Sequence, residues 1–234
     1  MTIHPVRHVS SAPSVSASAP PRGDDKHLLA WNRANVEPLW APRIYANADL
    51  ARTDILGGRK ALDIGCGGRK LPGAVGIDRL GLPGVDIIHD LDALPWPVAD
   101  SCYDLVLANH FLEHVPDTLG TLGEIHRILK PGGRAVIQVP YFRSLDAVVD
   151  PTHVRFFASQ SLDYVIEGSL RADYAYVPFR FRKVGFWYAW PQRSRNPLTR
   201  AFKAFIHAWP VFYDQYLSLI APVICLTWEL EKPA

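Results

Sequence analysis

Five short apolar runs, at residues 60–64, 74–77, 85–89, 103–108 and 134–139, recur between turn residues and helical patterns, and this alternation constrains the fold more than any other feature of the chain. Buried strands separated by crossovers read this way in a parallel sheet, whose two faces are both covered. Between the last two runs, residues 118–129 put Leu119, Leu122, Ile125, Ile128 and Leu129 on one helical face, and Pro131-Gly132-Gly133 is expected to stop that crossover helix. Downstream, the pattern predicts a helix over 159–166, an aromatic strand pair or long strand over 175–190, a helical stretch over 198–219 and a terminal strand over 223–231. The terminal strand completes a seven-stranded sheet. Residues 28–56, with Trp31, Leu39, Trp40, Ile44, Tyr45 and Leu50, are expected to form helices that brace or lid the sheet, chiefly by packing.

A chain of 234 residues with 48% hydrophobic content can bury one substantial core. The expected organisation is a disordered leader at 1–23, rich in Ser, Ala and Pro, and a single domain at 24–234. Within it, 60–140 forms the ligand-binding core, and 141–234 supplies the second-substrate side and the C-terminal strands. A net charge of +2 from 25 basic and 23 acidic side chains gives no field suited to a polyanion, so nucleic acid is not expected as a partner. Cys66, Cys102 and Cys225 form no CxxC pair, which points away from a zinc knuckle or disulfide framework and toward a reducing, cytoplasmic setting. The apolar tract at 211–226 is broken by Asp214, Gln215 and Pro222 and is too polar to span a bilayer.

In open α/β sheets, ligands bind beyond the carboxyl ends of the strands. The first run ends in Asp63-Ile64-Gly65-Cys66-Gly67, whose glycines let a ligand lie directly against the backbone. The same turn serves dinucleotides, but Lys70 stands where their third glycine belongs, which disfavours a nicotinamide dehydrogenase. Asp78 ends the second run, where a carboxylate can accept from ribose hydroxyls, and Asp90 ends the third, placed for an adenine amino group. Taken singly, each acid reads as a solvated turn residue; three such features at successive strand ends do not.

The ordered series Leu62-Asp63-Ile64-Gly65-Cys66-Gly67, Gly76-Ile77-Asp78, His89-Asp90-Leu91-Asp92-Ala93-Leu94-Pro95-Trp96-Pro97, Tyr103-Asp104-Leu105-Val106, Leu112-Glu113-His114-Val115 and Leu129-Lys130-Pro131-Gly132-Gly133 resembles the methyltransferase type 11 group of class I S-adenosylmethionine-dependent enzymes. The resemblance covers roughly 60–140. It implies an α/β Rossmann-like fold with a seven-stranded, mostly parallel sheet and S-adenosyl-L-methionine as cofactor. It also implies that Asp63, Gly65 and Gly67 face the methionine part, with Cys66 a small turn residue and not a nucleophile. Asp78, with Arg79 beside it, would meet the ribose, Asp90 and Leu91 the adenine, and Asn109 and His110 the amino-acid end or the sulfonium. One departure stands out. Only about a dozen residues separate Gly65 from Asp78, so the first crossover must shrink to a turn, leaving the cofactor exposed or covered by the N-terminal helices.

Methyl transfer from a sulfonium is a direct displacement that mainly needs alignment, and a base only where the acceptor must lose a proton early, as oxygen acceptors do. Candidates are His110, Glu113 and His114, then Tyr141 and Arg143, then Asp150 and His153. The spacing of His110 and His114 predicts both imidazoles on one helical face. His110, His153 and His114 are the expected catalytic residues, although a structural role is favoured for Glu113 and His114. The segment His110-Phe111-Leu112-Glu113-His114 resembles the Glu-x-x-Glu-His metal motif of some ubiquinone-pathway methyltransferases, with His for the first Glu; because of that substitution no metal is predicted. Asp150-Pro151-Thr152-His153-Val154-Arg155-Phe156-Phe157 also resembles a recurring element of the group, placing His153 and Arg155 over the acceptor.

The acceptor side begins near Tyr174 and mixes Tyr176, Phe179, Phe181, Phe186, Trp187, Tyr188 and Trp190 with Arg180, Arg182, Lys183, Arg193, Arg195, Arg200 and Lys203. Aromatic area plus guanidinium groups suits a partly apolar, anionic small molecule methylated on oxygen, or a lipid- or glycan-linked one. Phe202, Phe205, Ile206, Trp209, Phe212 and Tyr213 suggest membrane-surface contact. A protein that keeps the fold and cofactor without catalysis is the competing reading.

Overall fold

The computed structural model describes residues 40–46, 56–191 and 195–234. The expected leader at 1–23, and Trp31, Leu39, Leu50 and Arg193, lie outside the described residues.

One sheet organises the molecule. Strands β1 (Ala61–Ile64), β2 (Val75–Asp78), β3 (Ile87–Ile88), β4 (Tyr103–Asn109), β5 (Leu129–Pro140), β6 (Arg182–Tyr188) and β7 (Cys225–Glu231) lie in the order β3-β2-β1-β4-β5-β7-β6. Strands β1 to β5 pair in parallel, whereas β7 runs antiparallel to both β5 and β6. This is the Rossmann-like class I arrangement that the sequence predicts. β1 is buried along its whole length, and its residues Leu62 and Ile64 join Ile77, Val106, Ala108, Ile137 and Trp228 in the main core. A short strand buried at every position, here with Asp63 as its one polar residue, requires cover on both faces, and this determines a central place in the sheet.

No helix stands between Ile64 and Val75, so the first crossover is the abbreviated turn expected from its length. Helix α1 (Trp40–Ala46) covers part of the sheet instead, through Trp40, Ala41 and Ile44, which pack with Ala61, Leu105, Leu107 and Val136. Its first two amides, on Trp40 and Ala41, each donate at 3.0 Å to the buried carboxylate of Glu229 on β7. Helix α2 (Thr118–Ile128) starts at Asp117, whose side chain accepts from the Gly120 amide, and buries Leu122, Ile125 and Ile128.

Three expectations change, and a fourth, the helical stretch over 198–219, is met with internal breaks. Pro131-Gly132-Gly133 does not stop α2, because the chain turns extended at Leu129 and enters β5 at once. Instead, the segment 130–133 bulges between the pairs Tyr103–Leu129 and Leu105–Arg134, with Gly132 at φ +75° and hydrogen bonds to Lys232. Residues 159–166 form turns and one 3-10 turn (Asp163–Val165) in place of a helix. The aromatic stretch 175–190 yields only β6, because Arg180 folds back onto the carbonyls of Ala172, Val177 and Phe179 and holds the preceding residues in a compact loop. The stretch 198–219 divides into α4 (Pro197–Ala208), α5 (Pro210–Phe212) and a π turn (Tyr213–Leu217), since Pro210 lacks the amide needed to continue α4. Helix α3 (Leu145–Val149), capped by Ser144, follows β5.

Candidate active site

Parallel register brings the ends of four strands level. Ile64 pairs with Ile77 and with Ala108, and Asn109 pairs with Gln138. The residues that follow therefore crowd one edge of the sheet: the Gly65–Gly68 turn, Asp78 with exposed Arg79, Asn109 and His110. Gly65 sits at φ +61°, and a Cβ there would meet the Phe111 ring at 2.5 Å, so glycine is needed both for the backbone shape and for the close approach. Gly67 sits at φ +52° with nothing within 4 Å of where its Cβ would stand. The turn thus presents bare backbone to open space, which is the form a ligand cradle takes.

Asp78 is buried and accepts from the Gly67 amide at 2.8 Å and the Leu80 amide at 2.9 Å. It ties the turn after β1 to the end of β2, and each oxygen keeps a further lone pair. Asp63 is also buried, and its Oδ2 accepts from the Leu71 amide at 2.7 Å. Burial drives its carboxyl up to about 7, against the pull of the Leu71 hydrogen bond and Lys70, with Asp78 adding to the rise. Burial, with Asp63 and Asp78 nearby, likewise pushes the Cys66 thiol up to about 11, so it is no thiolate nucleophile. Asp90 is exposed and accepts from the Asp92 amide; Leu91 is buried and its carbonyl takes the Trp96 indole N–H, which leaves only backbone for an adenine contact.

One participant was missed by sequence reasoning. Tyr45, on α1, donates its hydroxyl to Asn109 Oδ1 at 3.1 Å, across 64 residues, and its hydroxyl feels the charge of Asp63. The only signal for it was an aromatic residue in the N-terminal stretch expected to lid the sheet.

The histidines are placed differently from the prediction. Residues 112–114 form a turn, not a helix, and His110 has a left-handed backbone at φ +52°, so His110 and His114 do not share a helical face. His110, 36% exposed, points Nδ1 at Glu113 Oε1, 3.3 Å away. His114 joins His153 instead, with ring centroids 4.7 Å apart. The loop bearing His153 is stitched down because the Val154 and Arg155 amides both donate to the Glu113 carbonyl. Tyr141 leaves the candidate set, whereas Arg143 keeps a buried Nη1 without a hydrogen-bond partner among the described residues. The Tyr141 hydroxyl is committed to Asp214 inside the core, and the Arg143 guanidinium lies over the Phe142 ring.

The basic residues of the acceptor side are also largely consumed internally. Arg180 binds three carbonyls, Arg182 pairs with Glu231, Lys183 lies 3.8 Å from Asp163, and Lys203 donates to the Trp190 carbonyl. They do not assemble an anion pocket. The aromatic face expected to meet a membrane is mixed: Ile206 and Tyr213 are core, while Phe205, Trp209 and Phe212 are exposed. No helix among the described residues is long and apolar enough to cross a membrane.

The model of a family described as a methyltransferase domain matches residues 33–172. The chain belongs to this family. The methyltransferase GfsG of Streptomyces halstedii is 33% identical over 139 residues, which cover 49% of this chain and 50% of GfsG. A demethylmenaquinone methyltransferase of Staphylococcus epidermidis is 32% identical over 93 residues, covering 36% of this chain and 38% of the relative. The uncharacterized protein YafE of Escherichia coli (strain K12) is 30% identical over 115 residues, covering 43% and 53%. The chain spans about half the length, or less, of these curated relatives. S-adenosylmethionine is the cofactor of the class I fold, and the strand ends fit it: bare glycine backbone on one side, and on the other buried acids able to accept from hydroxyl and ammonium groups.

Proposed function

We propose that this chain is an S-adenosylmethionine-dependent methyltransferase that methylates an oxygen of a small-molecule acceptor, with 24–234 acting as one domain and 60–140 as its cofactor-binding core. The observation that carries the reading is the row of Gly65, Gly67, Asp78 and Asn109 at the level carboxyl ends of β1, β2 and β4. The cofactor supplies an activated methyl group on a cationic sulfur. Asp63, Gly65 and Gly67, with Cys66 as a small turn residue, would hold its methionine part. Asp78 and Arg79 would hold the ribose, Asp90 and the Leu91 backbone the adenine, and Asn109 and His110 would flank the reacting end under Tyr45.

The buried Asp63 gives the first test. A cationic cofactor favours the ionised carboxylate, so binding should expel the proton that Asp63 holds below about pH 7. Affinity for S-adenosylhomocysteine, whose ammonium remains cationic, should therefore rise with pH up to about 7 and then level. Calorimetric titration at pH 6, in two buffers of different ionisation enthalpy, should show net proton release. No binding at millimolar ligand would sink the whole proposal, whereas binding without proton release would remove Asp63 from the cationic end.

For oxygen acceptors, His110 is the base. It is half-exposed beside the proposed cofactor edge, with Nδ1 3.3 Å from a buried Glu113 oxygen that would stabilise the imidazolium formed when the ring takes a proton. A cavity of about 330 Å³ between α2 and the segment beyond α3, lined by Leu122, Phe156, Tyr164 and Tyr176 with Arg155 at its side and by none of the strand-end residues assigned to the cofactor, has the size and aromatic walls for a flat acceptor. Among hydroxyl compounds screened for methyl turnover, His110→Ala should slow the best substrate by about 10²-fold. Equal rates for both proteins would exclude His110 as the base.

A further inference from the structure

We propose that Glu113, His114 and His153 form a site for a divalent transition-metal ion of the zinc class. One ligand atom from each lies within 4.8 Å of the others. Ligand atoms about 2.1 Å from a common ion stand roughly 3–4 Å apart, so side-chain shifts of less than about 1 Å would close the site.

The two imidazoles are already oriented as ligands. Asp150 Oδ1 accepts from the Thr152 hydroxyl at 2.6 Å, so that hydroxyl's proton is committed and its oxygen accepts from His114 Nδ1 at 2.9 Å. The carbonyl of Ala147 accepts from His153 Nδ1 at 3.1 Å. Both Nδ1 atoms therefore carry protons, and both Nε2 atoms offer lone pairs. A metal-binding histidine is characteristically held in this way, its other nitrogen donating to a carbonyl or a carboxylate-backed oxygen. Asp150 Oδ2 stands 3.9 Å from His153 Nε2, within reach as a further ligand.

The third member supplies an independent reason. Glu113 is 1% exposed, and neither carboxylate oxygen has a hydrogen-bond partner. His110 Nδ1, at 3.3 Å, is not aligned to donate. A buried carboxylate without donors is strongly disfavoured unless it is protonated or a cation neutralises it, and beside two imidazoles that offer lone pairs a metal cation would serve all three groups. His110, whose replacement of the first Glu of the metal motif led to no metal being expected from the sequence, is not part of the cluster; His153, 39 positions beyond His114, completes the set instead. Three protein ligands leave at least one coordination position open. On the reading of the preceding subsection, that position suits an acceptor oxygen.

The test needs neither cofactor nor acceptor. Tag-free full-length protein is stripped with a chelator, desalted and titrated with Co²⁺ alone, then with Zn²⁺ in competition. The expected result is one equivalent of Co²⁺ with visible d–d bands, displaced by Zn²⁺. Glu113→Gln and His153→Asn should each weaken binding at least tenfold, while His110→Ala leaves it unchanged. Circular dichroism confirms that each variant folds, and His153→Asn carries the test if Glu113→Gln does not. Binding that survives His153→Asn, or no stoichiometric uptake by the native chain, overturns the proposal. Because S-adenosylhomocysteine binding is measured separately, failure here leaves the methyltransferase reading standing.

Discussion

Asp78→Ala is expected to weaken S-adenosylhomocysteine binding by about 10²–10⁴-fold. Two ribose hydroxyls donating to one ionised carboxylate each contribute roughly 1.5–3 kcal/mol, and 1.4 kcal/mol is tenfold in affinity. Loss of affinity alone would be ambiguous, because the same carboxylate holds the Gly67 and Leu80 amides and so shapes the cradle. Cofactor analogues lacking the 2′- or 3′-hydroxyl resolve this. The native protein should bind each deoxy analogue about ten- to a hundredfold more weakly than the parent, whereas the Ala variant should scarcely distinguish them. If the variant still discriminates by the native factor, the ribose is read elsewhere and Asp78 serves only the turn. Thermal unfolding of both proteins without ligand separates any general loss of stability.

The parts of this site that were legible in the sequence are those whose physics is local. The strand runs at 60–64 and 103–108 were visible because a short, mostly apolar stretch bounded by turn residues has few other ways to be buried. The Gly65 and Gly67 turn was visible because the chain needs positive φ there. The missing first crossover helix followed from counting residues. The histidines failed for a related reason: a spacing of four fits a helix, but residues 112–114 turn back with the His114 amide on the Phe111 carbonyl, and no helical neighbour supports the pattern. What was not legible depends on contacts between distant residues. Tyr45 meets Asn109, and Glu113 gathers His153, only after the sheet has formed. The basic insert likewise looked like an anion site until Arg180 and Arg182 found carbonyl and carboxylate partners within the protein.

The same long-range logic makes Glu229 a costly side chain to remove. It lies fully buried on β7, accepts from the Trp40 and Ala41 amides, and pairs with Arg134 at 3.0 Å. Arg134 also reaches Glu231, which Arg182 meets from the other side, so charges alternate across β5, β7 and β6. Glu229→Ala leaves two helix-end amides without their acceptor and reduces a buried guanidinium to one partner. A cost of about 3–5 kcal/mol is expected, a large share of the roughly 5–15 kcal/mol typical of a domain. For a chain of this size that corresponds to a fall of roughly 6–20 °C in Tm. Glu229→Gln should cost less, since its single amide oxygen still accepts from one of the two α1 amides and Glu231 still holds Arg134. Burial raises the Glu229 carboxyl above its ordinary value despite these donors. Relative to the unfolded chain, its stabilising contribution is therefore complete below the ordinary glutamate pKa and declines as pH rises through the folded value. The stability gap between the native protein and the Gln variant should accordingly narrow with rising pH in denaturant titrations. A gap that widens would mean that the ionised carboxylate is favoured in the folded state, and that the Arg134 pair outweighs the cost of burying it.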